Sequence, residues 1–189
     1  MQRSLSMYRL LPAVLVLAAC THDARRDEGP VPVAIAKLEA KSGSTVAGEA
    51  KFFVTGMETR VELELESTMP GLHAVHLHEK GDCSDDKAES AGPHWNPGGH
   101  QHGQLEQPPA HLGDIGNIEV RQNGKGKLVF STSLWSVGTN AENDIMGKAL
   151  VVHDDVDDFK SQPAGNAGDR IACGVVRKPG SVPFISSAP

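Results

Sequence analysis

Seven of the side chains between positions 76 and 153 of the 189-residue chain are the main candidates for metal ligands. They are His76, His78, His94, His102, His111, Asp114 and His153. The pair His76 and His78 is the most informative, because a β-strand repeats its side-chain direction every two residues. Both imidazoles therefore point to one side of a strand, while Val75 and Leu77 point to the other. Two imidazoles fixed on a rigid strand provide half of a metal site.

One set of candidates mixes nitrogen and oxygen donors. His102, His111 and Asp114 offer imidazoles and one carboxylate, and this combination suits tetrahedral zinc. His100, in the segment HQHG at 100–103, is an alternative to His102. Gly103, which follows His102 directly, favours His102.

The other set offers only nitrogen. His76, His78 and His153 give three imidazoles, and nitrogen-rich tetragonal sites favour Cu(II). Two four-coordinate ions need two further ligand positions beyond the six residues of these two sets. His94 fills both positions if each of its ring nitrogens binds one ion, because two adjacent cations assist the loss of its second proton.

Strand patterns dominate the part of the chain that must position these residues. Glu62, Glu64 and Glu66 alternate with apolar residues between Arg60 and Glu66, which predicts a half-buried strand. Asn123-Gly124 is a strong hairpin signal. The predicted strands are Val33–Leu38, Glu49–Thr55, Arg60–Glu66, the His-bearing segment after Pro70-Gly71, Ile118–Arg121, Lys127–Ser131, Lys148–His153 and Arg170–Val176. These predict an all-β sandwich or flattened barrel of about eight antiparallel strands.

Two stretches lack periodicity and are rich in Gly, Pro and Asp: 79–116 and 154–169. Loops of this length are uncommon in a compact domain and are usually functional. The first holds Cys83 and four candidate metal ligands. We expect a disulfide and metal binding to order these two loops, which would form the functional face.

The N-terminal segment predicts export. Arg3 and Arg9 precede an apolar run, 10–19, that is too short to cross a bilayer. Its end, Leu-Ala-Ala followed by Cys20, resembles a bacterial lipobox, in which the cysteine is acylated. We expect a signal peptide at 1–19, a lipid-anchored tether at 20–32, one domain at 33–178 and a C-terminal tail at 179–189. An ordinary secretory signal, cut near Ala19, is the alternative.

The cysteine content agrees with an exported protein, and the charge bears on its partners. If Cys20 carries lipid, Cys83 and Cys173 remain as an even pair, which most simply forms one disulfide in an oxidising compartment. Two buried free thiols are the alternative. The formal charge of −6 becomes −8 when the two arginines of the signal are removed, and no basic run is present. These features argue against a nucleic-acid partner.

Four blocks of sequence, in order, resemble the copper/zinc superoxide dismutase family. They are GLHAVHLHEKGDC at 71–83, AGPHWNP at 91–97, HLGDIGN at 111–117 and GNAGDRIACG at 165–174. The resemblance covers roughly 33–176. It implies that family's Greek-key, immunoglobulin-like β-sandwich. The early position of Cys83 indicates a bacterial member, and the N-terminal segment indicates one of the exported, lipoprotein type.

The resemblance also implies site residues, with one copper and one zinc ion per subunit. It assigns copper to His76, His78, His94 and His153, and zinc to His94, His102, His111 and Asp114. It implies that His94 bridges the ions and relays a proton, and that Arg170 guides the anion beside copper. Asp157 would link His76 and His102, and Cys83 would pair with Cys173. Asp169 places a carboxylate next to Arg170.

The activity implied is disproportionation of superoxide to dioxygen and hydrogen peroxide in the cell envelope or periplasm. Superoxide is then the partner, membrane contact occurs only through Cys20, and a homodimer is compatible with the family. The chain's negative charge would repel the anion, so a local positive field from the metals and Arg170, with Lys160 as a further candidate, must attract it. One alternative is a non-catalytic domain that binds or delivers copper and zinc. A zinc hydrolase is another, but it leaves the all-nitrogen set without a role.

Overall fold

Alternation of apolar and charged residues produces the strands where the sequence shows it most clearly. Val61, Leu63 and Leu65 are at most 3% exposed, and the glutamates between them point away from the core. The computed structural model describes residues 29–181. Its strands are β1 (Ala34–Ala40), β2 (Ala47–Thr55), β3 (Glu58–Glu66), β4 (Gly71–His78), β5 (Asp114–Val120), β6 (Gly126–Thr132), β7 (Ala149–His153) and β8 (Arg170–Val175). One turn of 3₁₀ helix, Glu89–Ala91, is the only helix among the described residues.

The strands close into an antiparallel barrel in the order β1-β2-β3-β6-β5-β4-β7-β8. The consecutive strands β4, β5 and β6 are neighbours, and β7 returns to lie beside β4, which is a Greek-key arrangement. The predicted all-β fold of about eight antiparallel strands is confirmed.

Most strand ends lie within one or two residues of their predicted positions. β5 is the exception, because it begins at Asp114 rather than at Ile118. Asp114 pairs with His76 across an irregularity between Val75 and His76. Gly116 interrupts the apolar alternation there, so the first half of β5 has no strand pattern in the sequence.

β4 is buried on both faces, which is unusual for an antiparallel strand. Val75 and Leu77 belong to the hydrophobic core inside the barrel. His76 and His78 lie on the opposite side, as the two-residue spacing predicts, and are at most 1% exposed. The connections from β4 to β5 and from β7 to β8 are the two predicted loops, and their residues contact these histidines.

Cys83 and Cys173 form a disulfide that joins the first long loop to β8. The side chain of Lys41 donates a hydrogen bond to the carbonyl oxygen of Cys83 at 2.6 Å. The predicted disulfide is therefore present. It fixes the start of the loop that carries His94, His102 and His111.

The predicted signal peptide, Cys20 and most of the tether lie outside the described residues, as does 182–189 of the predicted tail. Within 29–181, no helix has the length and apolar character needed to cross a bilayer.

Candidate metal centre

His94 is positioned by backbone pairing with the end of β4. The backbone N–H of Trp95 donates to the Leu77 carbonyl oxygen at 2.8 Å, and Gly113 N–H donates to the Trp95 carbonyl oxygen at 3.0 Å. Position 113 must be glycine for this packing, because a Cβ atom there would collide with the Leu77 carbonyl oxygen. His94 is thereby held between β4 and the segment that leads into β5.

Three imidazoles converge on one carboxylate oxygen. The Nδ1 atoms of His94, His102 and His111 lie 2.9, 3.0 and 3.0 Å from Oδ1 of Asp114. The other oxygen, Oδ2, accepts hydrogen bonds from the backbone N–H groups of Gly103 and His111. These two bonds orient the carboxylate so that Oδ1 faces the rings.

This donor set matches the chemistry of zinc. The four residues are all buried, and their donor atoms lie within 4.8 Å of one another. Donors bound at zinc distances in a tetrahedron lie roughly 3.3–3.5 Å apart, and the spacings of 2.9–3.0 Å to Asp114 are shorter than that range. Three nitrogens and one oxygen form a familiar tetrahedral zinc set.

A second group contains four imidazoles: His76, His78, His94 and His153, all buried. Their donor atoms also lie within 4.8 Å of one another. The Nε2 atoms of His78 and His153 are 3.4 Å apart. An all-nitrogen set of this kind suits copper. The two groups share His94, as the sequence predicts.

Among the described residues, three buried ring nitrogens make no hydrogen bond of acceptable geometry: His76 Nδ1, His94 Nε2 and His102 Nδ1, the last of which is nevertheless 3.0 Å from Asp114 Oδ1. A buried polar atom without a partner costs about 1–3 kcal/mol. The atoms of His76 and His94 belong to the all-nitrogen group. The atom of His102 belongs to the mixed group, which is the set of His94, His102, His111 and Asp114. Coordination of a metal ion would satisfy all three, so the residues present fit two ions that share the ring of His94.

In three of these rings, the second nitrogen contacts an oxygen atom of a neighbouring residue. Asp157 contacts two rings at once, with Oδ2 2.8 Å from His76 Nε2 and Oδ1 2.9 Å from His102 Nε2. The Nδ1 atom of His78 lies 2.8 Å from the Gly92 carbonyl oxygen. Such contacts fix the tautomer and orientation of a ligand ring. Asp157 thus joins a member of each group, at the position that the sequence predicts.

Burial lowers the pKa of the imidazoles in the all-nitrogen group. The pKa of His76 is lowered, those of His78 and His153 are well below the usual value, and that of His94 is lowered to about 4. These rings are therefore neutral at physiological pH. Neutral imidazoles have the free lone pairs that metal ions require.

His102 behaves differently because carboxylates flank both of its ring nitrogens. Burial acts to lower its pKa, but the close contacts with the carboxylates of Asp114 and Asp157 outweigh that effect and raise the pKa of His102 to about 9. The same contacts hold the pKa of both carboxyl groups below the usual range, although burial acts to raise them. A metal cation at Nδ1 would replace the proton that the ring otherwise binds there.

Comparison with known proteins matches residues 46–176 to the family model "Copper/zinc superoxide dismutase (SODC)". The chain belongs to this family. It is 38% identical over 128 residues to "Extracellular superoxide dismutase [Cu-Zn]" of Haemonchus contortus, covering 65% of this chain and 68% of that protein. It is 34% identical over 186 residues to "Superoxide dismutase [Cu-Zn]" of Deinococcus radiodurans, covering 93% and 97%.

A solved structure titled "Crystal Structure Analysis of the clock protein EA4" has a similar fold. Its TM-score is 0.68 at 31% sequence identity, and the match covers 80% of this chain and 98% of that chain. The barrel described above is therefore a known arrangement of strands. This agrees with membership of the copper/zinc superoxide dismutase family.

An open pocket of about 850 Å³ reaches the two groups of residues in this superoxide dismutase fold. His78, His94, His153 and Arg170 are among its lining residues. The Arg170 guanidinium donates to the carbonyl oxygens of Ala88 at 2.6 Å and Gly92 at 2.8 Å. These bonds hold a positive charge beside the imidazoles. Burial lowers the pKa of Arg170.

Three other candidates lie away from the centre of the site. His100 is exposed and belongs to neither group, whereas His102 is buried in one. Lys160 and Asp169 are exposed and do not line the pocket. Glu79 is the one acidic side chain among the described residues that line it.

Sequence reasoning missed Asn117, Gln162 and Gly165. Asn117 accepts a hydrogen bond from the backbone N–H of Asp157 at 2.8 Å and donates one to its carbonyl oxygen at 3.0 Å. Gly165 has a φ of +67° and packs against the contact between Asp157 and His102, where a Cβ atom would collide with both. Asn117 and Gly165 lie within family blocks, but no sequence pattern marks Gln162.

Proposed function

We propose that His76, His78, His94 and His153 hold copper and that His94, His102, His111 and Asp114 hold zinc, with one ion of each kind per chain. The observation that carries the proposal is the pair of four-residue groups that share His94. The activity of the family follows: disproportionation of superoxide to dioxygen and hydrogen peroxide. Copper would supply the one-electron chemistry, since zinc does not change its oxidation state.

The side chains have distinct roles in this reaction. The fixed cation of Arg170 attracts the anion to the pocket that opens on His78 and His153. Asp157 keeps two ligand rings in one tautomer and orientation. His94 lines the pocket, and because its Nδ1 is held at Asp114, its Nε2 is the ring nitrogen left to carry a proton.

Superoxide decay, followed by stopped-flow absorbance with protein loaded with both metals, tests the activity. We expect decay that is first order in enzyme and far faster than the spontaneous reaction. His153→Ala, which removes one nitrogen of the all-nitrogen group, serves as the matched loss-of-ligand variant. Tight binding of both metals with decay at the spontaneous rate would instead favour a domain that binds or delivers copper and zinc.

We also propose that the chain is exported and protects the cell envelope from superoxide. Residues 1–19 would be the signal peptide, Cys20 the acylated residue, 20–32 the tether, 33–178 the domain and 179–189 the tail. Support comes from the Leu-Ala-Ala-Cys pattern and from the disulfide, since disulfides persist in oxidising compartments. The name of the Haemonchus contortus relative, an extracellular enzyme, agrees with export.

Expression of the full chain in a bacterium with a labelled fatty acid tests this location. We expect label on the wild-type protein and its recovery with membranes. Cys20→Ser should lose the label and appear in the soluble periplasmic fraction with its disulfide intact. An unlabelled, soluble wild-type protein would contradict acylation and leave ordinary secretion as the explanation.

The family also supports a homodimer as the assembly to test. Sedimentation equilibrium of the secreted Cys20→Ser variant gives its mass directly. A monomer mass at every concentration would exclude the dimer.

A further inference from the structure

One side-chain amide binds both backbone polar groups of His102. The backbone N–H of His102 donates to Gln162 Oε1 at 2.9 Å, and Gln162 Nε2 donates to the carbonyl oxygen of His102 at 3.0 Å. The two residues lie in different long loops and are 60 positions apart. This double contact therefore connects the loops directly at one member of the mixed donor group.

Backbone contacts restrain the other members of that group in other ways. Asp114 is part of β5, and His111 donates its backbone N–H to the Asp114 carboxylate. His94 pairs with the end of β4. Among the described backbone hydrogen bonds outside strands, none involves His102. The backbone of His102 is thus held by Gln162.

A second side-chain amide, next to His102, makes the same kind of double contact with a backbone. The amide of Asn117 brackets the backbone of Asp157, and the carboxylate of Asp157 contacts the ring of His102. Asn117 thus fixes Asp157 from β5, and Gln162 fixes His102 from the opposite loop. Together the two amides hold the ring of His102 between Asp157 and Asp114.

We infer that Gln162 is a positioning residue that sets how long zinc is retained, because it fixes the backbone that carries His102. The inference rests on the zinc site proposed above. Loss of the amide would let this backbone move away from Asp114 and would weaken one of four ligands. Gln162 is itself exposed, so water replaces part of each lost hydrogen bond and the expected effect is moderate.

Gln162→Met tests this inference, because methionine has a similar length and forms neither hydrogen bond. With the fully loaded protein, we would follow zinc release to a chromogenic chelator while measuring copper retention. We expect zinc release to be about tenfold faster, the size of change expected for the loss of about two net hydrogen bonds partly replaced by water. The visible spectrum of protein with Co²⁺ in place of zinc should also shift, since ligand geometry changes.

Gln107→Met is the matched control. Gln107 is an exposed glutamine of the same loop as His102, and its side chain contacts Gln104 rather than a metal-binding residue. Gln162→Ala provides a second variant if the methionine is poorly tolerated. Zinc release and a Co²⁺ spectrum equal to those of wild type in the Gln162 variants would overturn the inference. Equal acceleration of copper and zinc release would also overturn it, since that indicates general loosening. Failure of the wild-type protein to bind zinc would instead contradict the proposed site.

Discussion

The ring of His94 belongs to both donor groups. Its Nδ1 atom lies 2.9 Å from Asp114, while its Nε2 atom is buried without a hydrogen-bond partner. In the proposed site, the two ring nitrogens would therefore bind different ions. A change at this residue should affect both metals, whereas a change at His153 or His111 should affect one first.

Arg170→Ala should lower kcat/KM for superoxide at least several-fold and flatten its dependence on ionic strength. Among the described residues that line the pocket, Arg170 carries the positive charge beside the imidazoles, and attraction of an anion by a fixed charge weakens as salt screens it. Pulse radiolysis at several salt concentrations measures this. Arg170→Lys keeps the charge but not both hydrogen bonds, so its salt dependence should persist. An unchanged salt profile in the alanine variant would exclude steering by Arg170.

Asp157→Asn should weaken zinc binding about 10- to 100-fold, a typical effect when the partner of a ligand ring is lost. The carboxylate contacts rings of His76 and His102 with its two oxygens, and an amide offers only one acceptor oxygen. Competition with a chelator of known affinity measures the zinc dissociation constant. Asp169→Asn, at an exposed residue outside both donor groups, is the control. Equal affinities for wild type and Asp157→Asn would show that the carboxylate does not position these ligands.

At the scale of elements, the connection between β6 and β7 is organised by Asp144. Its carboxylate accepts hydrogen bonds from the backbone N–H groups of Gly138 at 2.9 Å, Asn140 at 2.7 Å and Met146 at 2.9 Å. Burial acts to raise the pKa of Asp144, but these bonds outweigh it and the net pKa is lowered. The ionised carboxylate therefore stabilises the folded state.

Asp144→Asn should lower the free energy of unfolding at pH 7 by about 1–3 kcal/mol, because an amide nitrogen cannot accept a backbone hydrogen bond. The lowered folded-state pKa makes the contribution full above the unfolded value of about 3.9 and lost as pH falls through the folded value. Urea unfolding at pH 7 and below pH 4 measures both effects. The difference between variant and wild type should narrow at the lower pH. Equal unfolding free energies at pH 7 would show that these bonds contribute no net stability.

Local pattern predicts most strands but not the interior of the long loops. The alternation in β3 and the hairpin at Asn123-Gly124 are visible because each depends on neighbouring residues. The first half of β5 is not visible, since Gly116 breaks the alternation. The contact of Gln162 with His102 spans 60 positions. No local pattern can reveal such a pairing before the fold brings the loops together.

The candidate metal ligands are easier to predict from the sequence than the residues that hold them in position. The candidate ligands have distinctive chemistry and spacing, and the family blocks contain all of them except His102 and His153. The amides that hold the ligands, Asn117 and Gln162, are ordinary polar residues whose role depends on tertiary contacts. Sequence reasoning therefore identifies donors more readily than the contacts that orient them.

At the scale of the whole molecule, the net negative charge opposes the approach of an anionic substrate. The formal charge is −6, yet the substrate of the family is an anion. Among the described residues that line the pocket, Arg170 and Glu79 carry formal charges of opposite sign. Because these two charges oppose each other, the proposed attraction of superoxide would be short-range and would depend on bound metal ions together with Arg170.

Anomalous diffraction at the copper and zinc absorption edges, from crystals of the loaded protein, tests the shared ligand most directly. We expect one copper peak beside His76, His78 and His153 and one zinc peak beside His102, His111 and Asp114. In the oxidised protein, the ring of His94 should contact both ions through its two nitrogens. A single metal peak, or a His94 ring that contacts only one ion, would contradict the two-metal centre.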